Sequence, residues 1–282
     1  MRLTVHHRTS YRYSRPVGLE PHVIRLHPRT DASLRVVDYD LSIDPAPQIH
    51  SDNLDPEGNV ITHAWFEGET EHLTIETRAI VDTLVTDPFR YLIAEPDRAL
   101  PYAYAPDFAK RLEQYRLPPD AAPFSVRELA LEAAHESKRN QAMYARVLAM
   151  MIQQRLGFIG RDDGAAQPAE VTLEKGEGAC RDLAVLFVDC CRSMGLAARF
   201  VSGYCYTGDK ERPADLHAWG EVFLRGGGWR GYDPSQGLAV ADRHIALAAA
   251  AEPAAAAPVT GTYRGDDVTH ELETEVDITA GA

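Results

Sequence analysis

Up to about residue 100 the chain alternates apolar and polar side chains with a period of two. The segments LTVHHRTSYRY, LRVVDYDLSID, NVITHAWFE and HLTIETRAIVDTL carry the pattern and are rich in Val, Ile, Thr and Tyr. Successive side chains of a strand point to opposite faces, so this alternation predicts strands with one buried face and one wet face. Turn signals separate them, Asp55-Pro56-Glu57-Gly58-Asn59 the clearest. The expectation is an N-terminal antiparallel β-sandwich over residues 1–105.

The periodicity then changes. Pro101, Pro106, Pro118, Pro119 and Pro123 forbid a long regular element, so 106–124 reads as a Pro-rich linker with room for a short helix in DFAKRLEQY. Ser125 and Glu128 have capping-box spacing and predict a helix through about Lys138. A second helix is predicted from Gln141 to Leu156, stopped by Gly157, with Met143, Val147, Met150 and Met151 as a core stripe. A third runs from Cys180 to about Met194 and ends at Gly195; Leu183, Leu186, Phe187, Cys190 and Met194 form its apolar stripe. Strands AARFVSGY, LHAWGEVFL and WRGYDP follow, the last two turned by Gly226-Gly227-Gly228. Residues 125–247 therefore read as an α+β core. The alanine-rich stretch 248–258 reads as a low-complexity connector, and HELETEVDI as a last strand within 248–282.

Charge and composition narrow the function. The 282 residues are 45% hydrophobic and 25% charged, which excludes wholesale disorder, a collagen-like chain and a disulfide-packed miniprotein. No apolar run reaches the roughly 18 residues of a membrane helix, and the N-terminus lacks the apolar stretch of a secretory signal. A cytoplasmic protein with no membrane partner is expected. A net charge of −13 repels phosphates and argues against nucleic acid. Seven arginines lie in 1–35 against Glu20 and Asp31, whereas 265–282 holds six acids and no Lys or Arg. That complementarity suggests that the last strand returns to the N-terminal sheet. The four cysteines include no C-x-x-C pair, so reduced thiols and no metal site are expected. His6, His7, His22, His27, His50, His63 and His72 are scattered and read as packing or surface residues.

Cys180 is the candidate nucleophile. It follows Gly176-Glu177-Gly178-Ala179 and opens a helix, where free N–H groups and the positive end of the dipole favour a thiolate. The same N–H groups suit a developing oxyanion. Cys190 and Cys191 lie far inside the helix, and Cys205 ends a strand. A thiolate needs a base that can also protonate a leaving group; His217 starts a strand, with Trp219 on the same face to shield it. The base needs an orienting acceptor. Asp233, sixteen residues on across the glycine turn, suits this if the hairpin register places it on the same face, which the sequence leaves open. Glu221 shares the face of His217 but lies four strand residues away, roughly 13 Å at about 3.3 Å per residue. Asp215, in the preceding loop, is the rival.

Three segments in order carry a resemblance: Gly178-Ala179-Cys180-Arg181-Asp182, then His217-Ala218-Trp219 with Glu221-Val222, then Gly228-Trp229 leading to Asp233-Pro234-Ser235 and Gly237. Together they resemble the transglutaminase-like branch of the papain-type cysteine enzymes, over about residues 125–240. The opening, His7 to Val17, is similar to the N-terminal β-domain of bacterial members. The resemblance implies a papain/transglutaminase-like core with a Cys180, His217, Asp233 triad. It also implies acyl transfer through a thioester on a peptide or protein amide, with water or an amine as acceptor: a cysteine protease or amidase, or a transglutaminase-like acyltransferase. The family pattern usually has a bulkier residue where Gly220 stands, a departure read as neutral for catalysis. Calcium-dependent members exist, but no D-x-D-x-D-G loop occurs here, so neither calcium nor another cofactor is expected. The rival readings are a non-catalytic papain-like binding module and an arylamine acetyltransferase. The latter fits less well because the β-rich first hundred residues do not resemble that family's helical start.

Overall fold

The period-two segments are strands. The computed structural model describes residues 1–94, 99–117, 121–161, 164–208 and 214–281. The chain opens with β1 (Arg2–Leu19), β2 (His22–Ile24), β3 (Leu34–Asp44), β4 (Ile49–Leu54), β5 (Val60–Trp65) and β6 (Thr70–Thr83). Helices α1 (Pro106–Arg111), α2 (Phe124–Glu136) and α3 (Gln141–Arg155) follow. Next come β7 (Gly157–Phe158), α4 (Ala169–Lys175), β8 (Glu177–Gly178) and α5 (Cys180–Ser193). The chain finishes through β9 (Ala198–Cys205), β10 (Leu216–Leu224), β11 (Gly228–Asp233), β12 (Leu238–Ala239), β13 (His244–Ala250), β14 (Val259–Thr260), β15 (Tyr263–Arg264) and β16 (His270–Ala280).

Two antiparallel sheets form the N-terminal part, in the orders β15-β1-β6-β3, with β16 also on β1, and β14-β2-β5-β4. Leu3, Val5, Leu73, Ile75 and Val81 give the first sheet its dry face. The acidic last strand does return to the arginine-rich first one: β16 runs antiparallel along β1 from Leu3↔Ala280 to Tyr13↔His270. Arg8 lies opposite Glu275 and Arg12 opposite Glu271, cross-strand pairs that favour this register by a few tenths of a kcal/mol each. Both ends of the described chain thus lie in the β part.

The third sheet, β12-β11-β10-β9-β13, carries α5 on one face. Leu183, Leu186 and Phe187 of α5 pack with Val222 and Leu224 of β10, and α2 and α3 close over α5 with Val126, Ala130, Tyr144 and Leu148. Gly220 on β10 is where the Phe187 ring comes down. A Cβ there would lie 2.3 Å from Phe187 Cδ1, so the bulkier residue of the family pattern has no room in this chain.

Four expectations are corrected. Ser125 is inside α2 and caps nothing; Pro123, extended at φ −53° and ψ 152°, is the residue at which the helix begins. Only Met151 of the methionine stripe is in the core, while Met143 and Met150 are exposed. The buried face of α3 is one step round, on Tyr144, Ala145, Leu148 and Ile152, because Tyr144 reaches α5 and donates to the Cys190 carbonyl at 3.1 Å. The linker is not a free spacer: Leu112, Tyr115 and Ala122 are buried in the core cluster, and Pro118 and Pro119 lie outside the described residues. The alanine-rich connector begins as a strand, with Ala248, Ala249 and Ala250 fully buried in β13. Their small side chains let the turn at Pro253–Ala256 lie close on β9 and β13, where Ala256 packs with Ala218, Ala248 and Phe200.

Candidate active site

The tip of α5 is built by its preceding loop. Gly176 ends α4 at φ +69°, a left-handed conformation suited to glycine. At Gly178 a Cβ would sit 2.9 Å from Asp182 Cβ and 3.1 Å from Thr172 Cγ2, so the loop can pass only without a side chain. Asp182, fully buried on the first turn of α5, accepts from the backbone of Ala179 at 2.9 Å and of Gln167 at 2.8 Å, and from Arg161 at 2.6 Å. Burial alone would raise its carboxyl pKa; these donors outweigh burial and hold it below the usual range. Asp182 was not singled out from the sequence as a residue that holds this loop. An acid on the first turn, three residues after Ala179, is the local signal for it.

Cys180 is the first residue of α5 and half-exposed. Its thiol lies against the His217 ring at the start of β10, near enough to act on the ring's charge. The Nε2 of His217 donates to Asp233 Oδ2 at 2.6 Å, which leaves Nδ1 for the sulfur. The β10–β11 ladder pairs Gly220 with Tyr232, so one step further Asp233 falls across from Trp219, on the face of His217. That register brings the three residues together. Burial opposes charge on His217, but Asp233 and Cys180 outweigh it and hold the ring's pKa well above its ordinary value. Asp233 is fully buried; burial would raise its pKa, and the two histidines on it drive it far down instead. Trp219, 1% exposed, lies 6.3 Å from the His217 ring and covers it as expected. Glu221 is instead paired with Arg199 at 2.6 Å, and Asp215 accepts from the neighbouring Leu216 N–H.

The other thiols sit on different elements or deeper in α5. Cys190 and Cys191 are buried inside α5 and burial pushes both well up. Cys205, at the end of β9, lies beside His244; burial would raise its pKa, but His244, the His217 charge and the Gln236 amide donor at 3.2 Å outweigh it and draw the thiol down. His244 was missed in the sequence. Its Nε2 also donates to Asp233 Oδ2, at 3.1 Å. Nothing local announces it: the residue enters the site only because β13 pairs with β9, a contact between segments far apart in sequence. His217, Asp233 and His244 offer ligand atoms within 4.8 Å of one another. Both His–Asp contacts are at hydrogen-bond length. A cavity of about 70 Å³ between the β part and the sheet, bordered by Arg29, Asp31, Arg230 and His244, does not reach Cys180 or His217.

A cysteine at a helix tip against an antiparallel sheet carrying His and Asp is a papain-like α+β arrangement. Comparison with known proteins agrees. Residues 3–82 match the bacterial transglutaminase-like N-terminal region and 127–234 the transglutaminase-like superfamily. A Mycobacterium bovis protein, Mb2599c, is 30% identical over 98% of this chain and 92% of its own length. A Mycobacterium leprae protein, ML0607, is 25% identical over 99% and 98%. The fold matches that of a Cytophaga hutchinsonii protein described as a candidate cysteine protease, with a TM-score of 0.69 and 21% identity over 100% of this chain and 92% of that one. The chain belongs to the transglutaminase-like superfamily. Among the described residues no helix is long and apolar enough to cross a membrane.

Proposed function

We propose that this protein is a cysteine-dependent acyl-transfer enzyme acting on peptide or protein amides. The observation that carries the reading is the chain of contacts from the Cys180 thiol through the His217 ring to Asp233 at 2.6 Å. His217 takes the thiol proton and the sulfur attacks the amide carbonyl carbon. The oxyanion that forms is met by the backbone N–H of Cys180 at the helix tip. As the C–N bond breaks, His217 returns its proton to the departing amine and a thioester remains. Water or a second amine then attacks the thioester, His217 takes its proton, and the sulfur leaves with the proton restored. Asp233 keeps Nε2 protonated and Nδ1 turned to the sulfur throughout.

Hydrolysis and amine transfer share this geometry up to the thioester, and the acceptor that attacks it separates them. The test is iodoacetamide labelling at neutral pH read by mass spectrometry. Cys180 labels selectively, and His217→Ala slows it by at least about tenfold. Equal labelling of all four cysteines overturns the reading. Hydrolysis and amine incorporation over a diverse peptide library, with Cys180→Ala as blank, then assign the acceptor.

A further inference from the structure

Asp233 serves two imidazoles. Its Oδ1 accepts from Ser235 N at 2.9 Å, Ser235 Oγ at 2.7 Å and Gln236 N at 3.2 Å. Its Oδ2 accepts from His217 Nε2 at 2.6 Å and His244 Nε2 at 3.1 Å. Both imidazoles therefore draw on the same carboxylate oxygen, while backbone and hydroxyl donors hold the other. The acceptor is charged and aprotic, which fixes the proton of neutral His244 on Nε2. Its Nδ1 then finds no hydrogen-bond partner among the described residues. A buried imidazole with one nitrogen unmatched is a poor packing residue, since an unsatisfied polar atom costs more than an apolar ring of similar shape. What the ring does contribute is the bond to Oδ2 and a contact with the Cys205 thiol beside it.

We propose that His244 is a positioning residue for the reaction above: by sharing Asp233 Oδ2 with His217, it fixes the direction in which that oxygen faces the His217 ring and limits the negative charge presented there. The inference rests on the acyl-transfer reading for its purpose, although not for its test. A general acid works best when its acidity is matched to the working pH. A carboxylate given wholly to His217 would hold the imidazolium too tightly to release its proton to the leaving amine. The ionisable groups facing His244 are Asp233 from β11, Cys205 from β9 and His217 from β10, with Trp219 edge-on at 5.2 Å. Arg29, Asp31, Glu221 and Arg230 border the cavity behind it.

The experiment is an NMR titration of the full chain with histidine side chains isotope-labelled, the His217 resonance being assigned by its loss in His217→Ala. His244→Phe, which keeps volume and removes the donor, raises the His217 midpoint by about one pH unit, a tenfold change in the ratio of its two forms. His244→Gln, which restores an N–H donor, leaves it within about 0.3 unit of wild type. An unmoved midpoint in a folded Phe variant, or an equal shift in both variants, overturns the proposal. Should the Phe variant not fold, the wild type still decides. Coupling through one oxygen gives the His217 resonance a two-step curve that follows His244, and independent single-step curves overturn it. With a substrate in hand, kcat falls in His244→Phe and KM stays. Because the titration needs no turnover, failure of the acyl-transfer reading and failure of this one are separate results.

Discussion

Replacing Asp233 by Asn keeps the side chain's shape and removes its charge, and the surroundings dictate how the amide must sit. Three donors converge on Oδ1, from Ser235 N, Ser235 Oγ and Gln236 N. They require the amide oxygen there, which puts the NH₂ group where Oδ2 was. That group now points a donor at His217 Nε2, which must accept. The neutral ring then carries its proton on Nδ1, facing Cys180, and cannot take the thiol proton. The carboxylate's attraction for the imidazolium is lost as well. With N and O 2.6 Å apart the charge centres lie about 4 Å apart. At an effective dielectric near 20 that is about 4 kcal/mol, or on the order of 10³ in ion-pair population. The tautomer inversion alone lowers kcat about 10⁴-fold in a serine-enzyme triad.

The assay is the rate of iodoacetamide labelling at Cys180 near pH 6.5, where an unperturbed imidazole is half protonated, with thermal melts to verify folding. Asp233→Asn should slow labelling by at least about 10²-fold, a margin below the Coulomb figure that allows for relaxation. Asp233→Ala should label no more slowly than Asn, since water can replace the carboxylate without dictating the tautomer. A folded Asn variant labelling within about threefold of wild type would refute the argument from Oδ1.

Two further outcomes concern stability. Gly220→Ala places a methyl 2.3 Å from Phe187 Cδ1 and 3.2 Å from Val188 Cγ2; it should cost about 1–3 kcal/mol in urea melts, and Phe187→Leu in the same chain should recover part of it. His7 is buried; burial, with the neighbouring His6 adding, lowers its pKa from 6.5 to about 4. A lowered base is neutral in the fold while the unfolded chain takes up its proton, so stability is whole above about pH 6.5 and falls as pH drops to about 4, by about 3 kcal/mol. His7→Gln should flatten that part of the pH curve, and an unchanged slope would rule out His7 as its source.

Most of what could be read from the residues was local, the return of β16 to β1 from complementary charge being the exception. The stripe of α5, the glycine turn between β10 and β11 and the order of Cys180, His217 and Asp233 depend on neighbours in sequence, and all are in the fold as read. The register that turns Asp233 towards His217 depends on a count across the hairpin that composition does not determine. His244 depends on β13 lying beside β9, with β10, β11 and β12 on the other side of β9. The alanines of β13 misled in another way: a run of one small residue looks like a spacer, yet alanine is apolar and packs wherever backbones must come close.

The position of β13 also bears on why a β-domain precedes this core. Asn59, from the turn between β4 and β5, donates to the Ala249 carbonyl at 3.0 Å and accepts from its N–H at 2.9 Å. Arg29 N–H bonds the Ala246 carbonyl at 2.8 Å. His7 on β1 meets the Tyr204 hydroxyl at 2.7 Å, one residue before Cys205 on β9. Ile245 and Leu247 of β13 are buried in the cluster of Leu3, Leu73 and Ile75 rather than in that of α5. The strands carrying His244 and Cys205 are therefore fixed from behind by the β-domain, while α5 fixes the same sheet from the front. A carboxylate shared between histidines on two strands needs their separation held to a few tenths of an ångström, and a sheet clamped on both faces is a scaffold that can hold it.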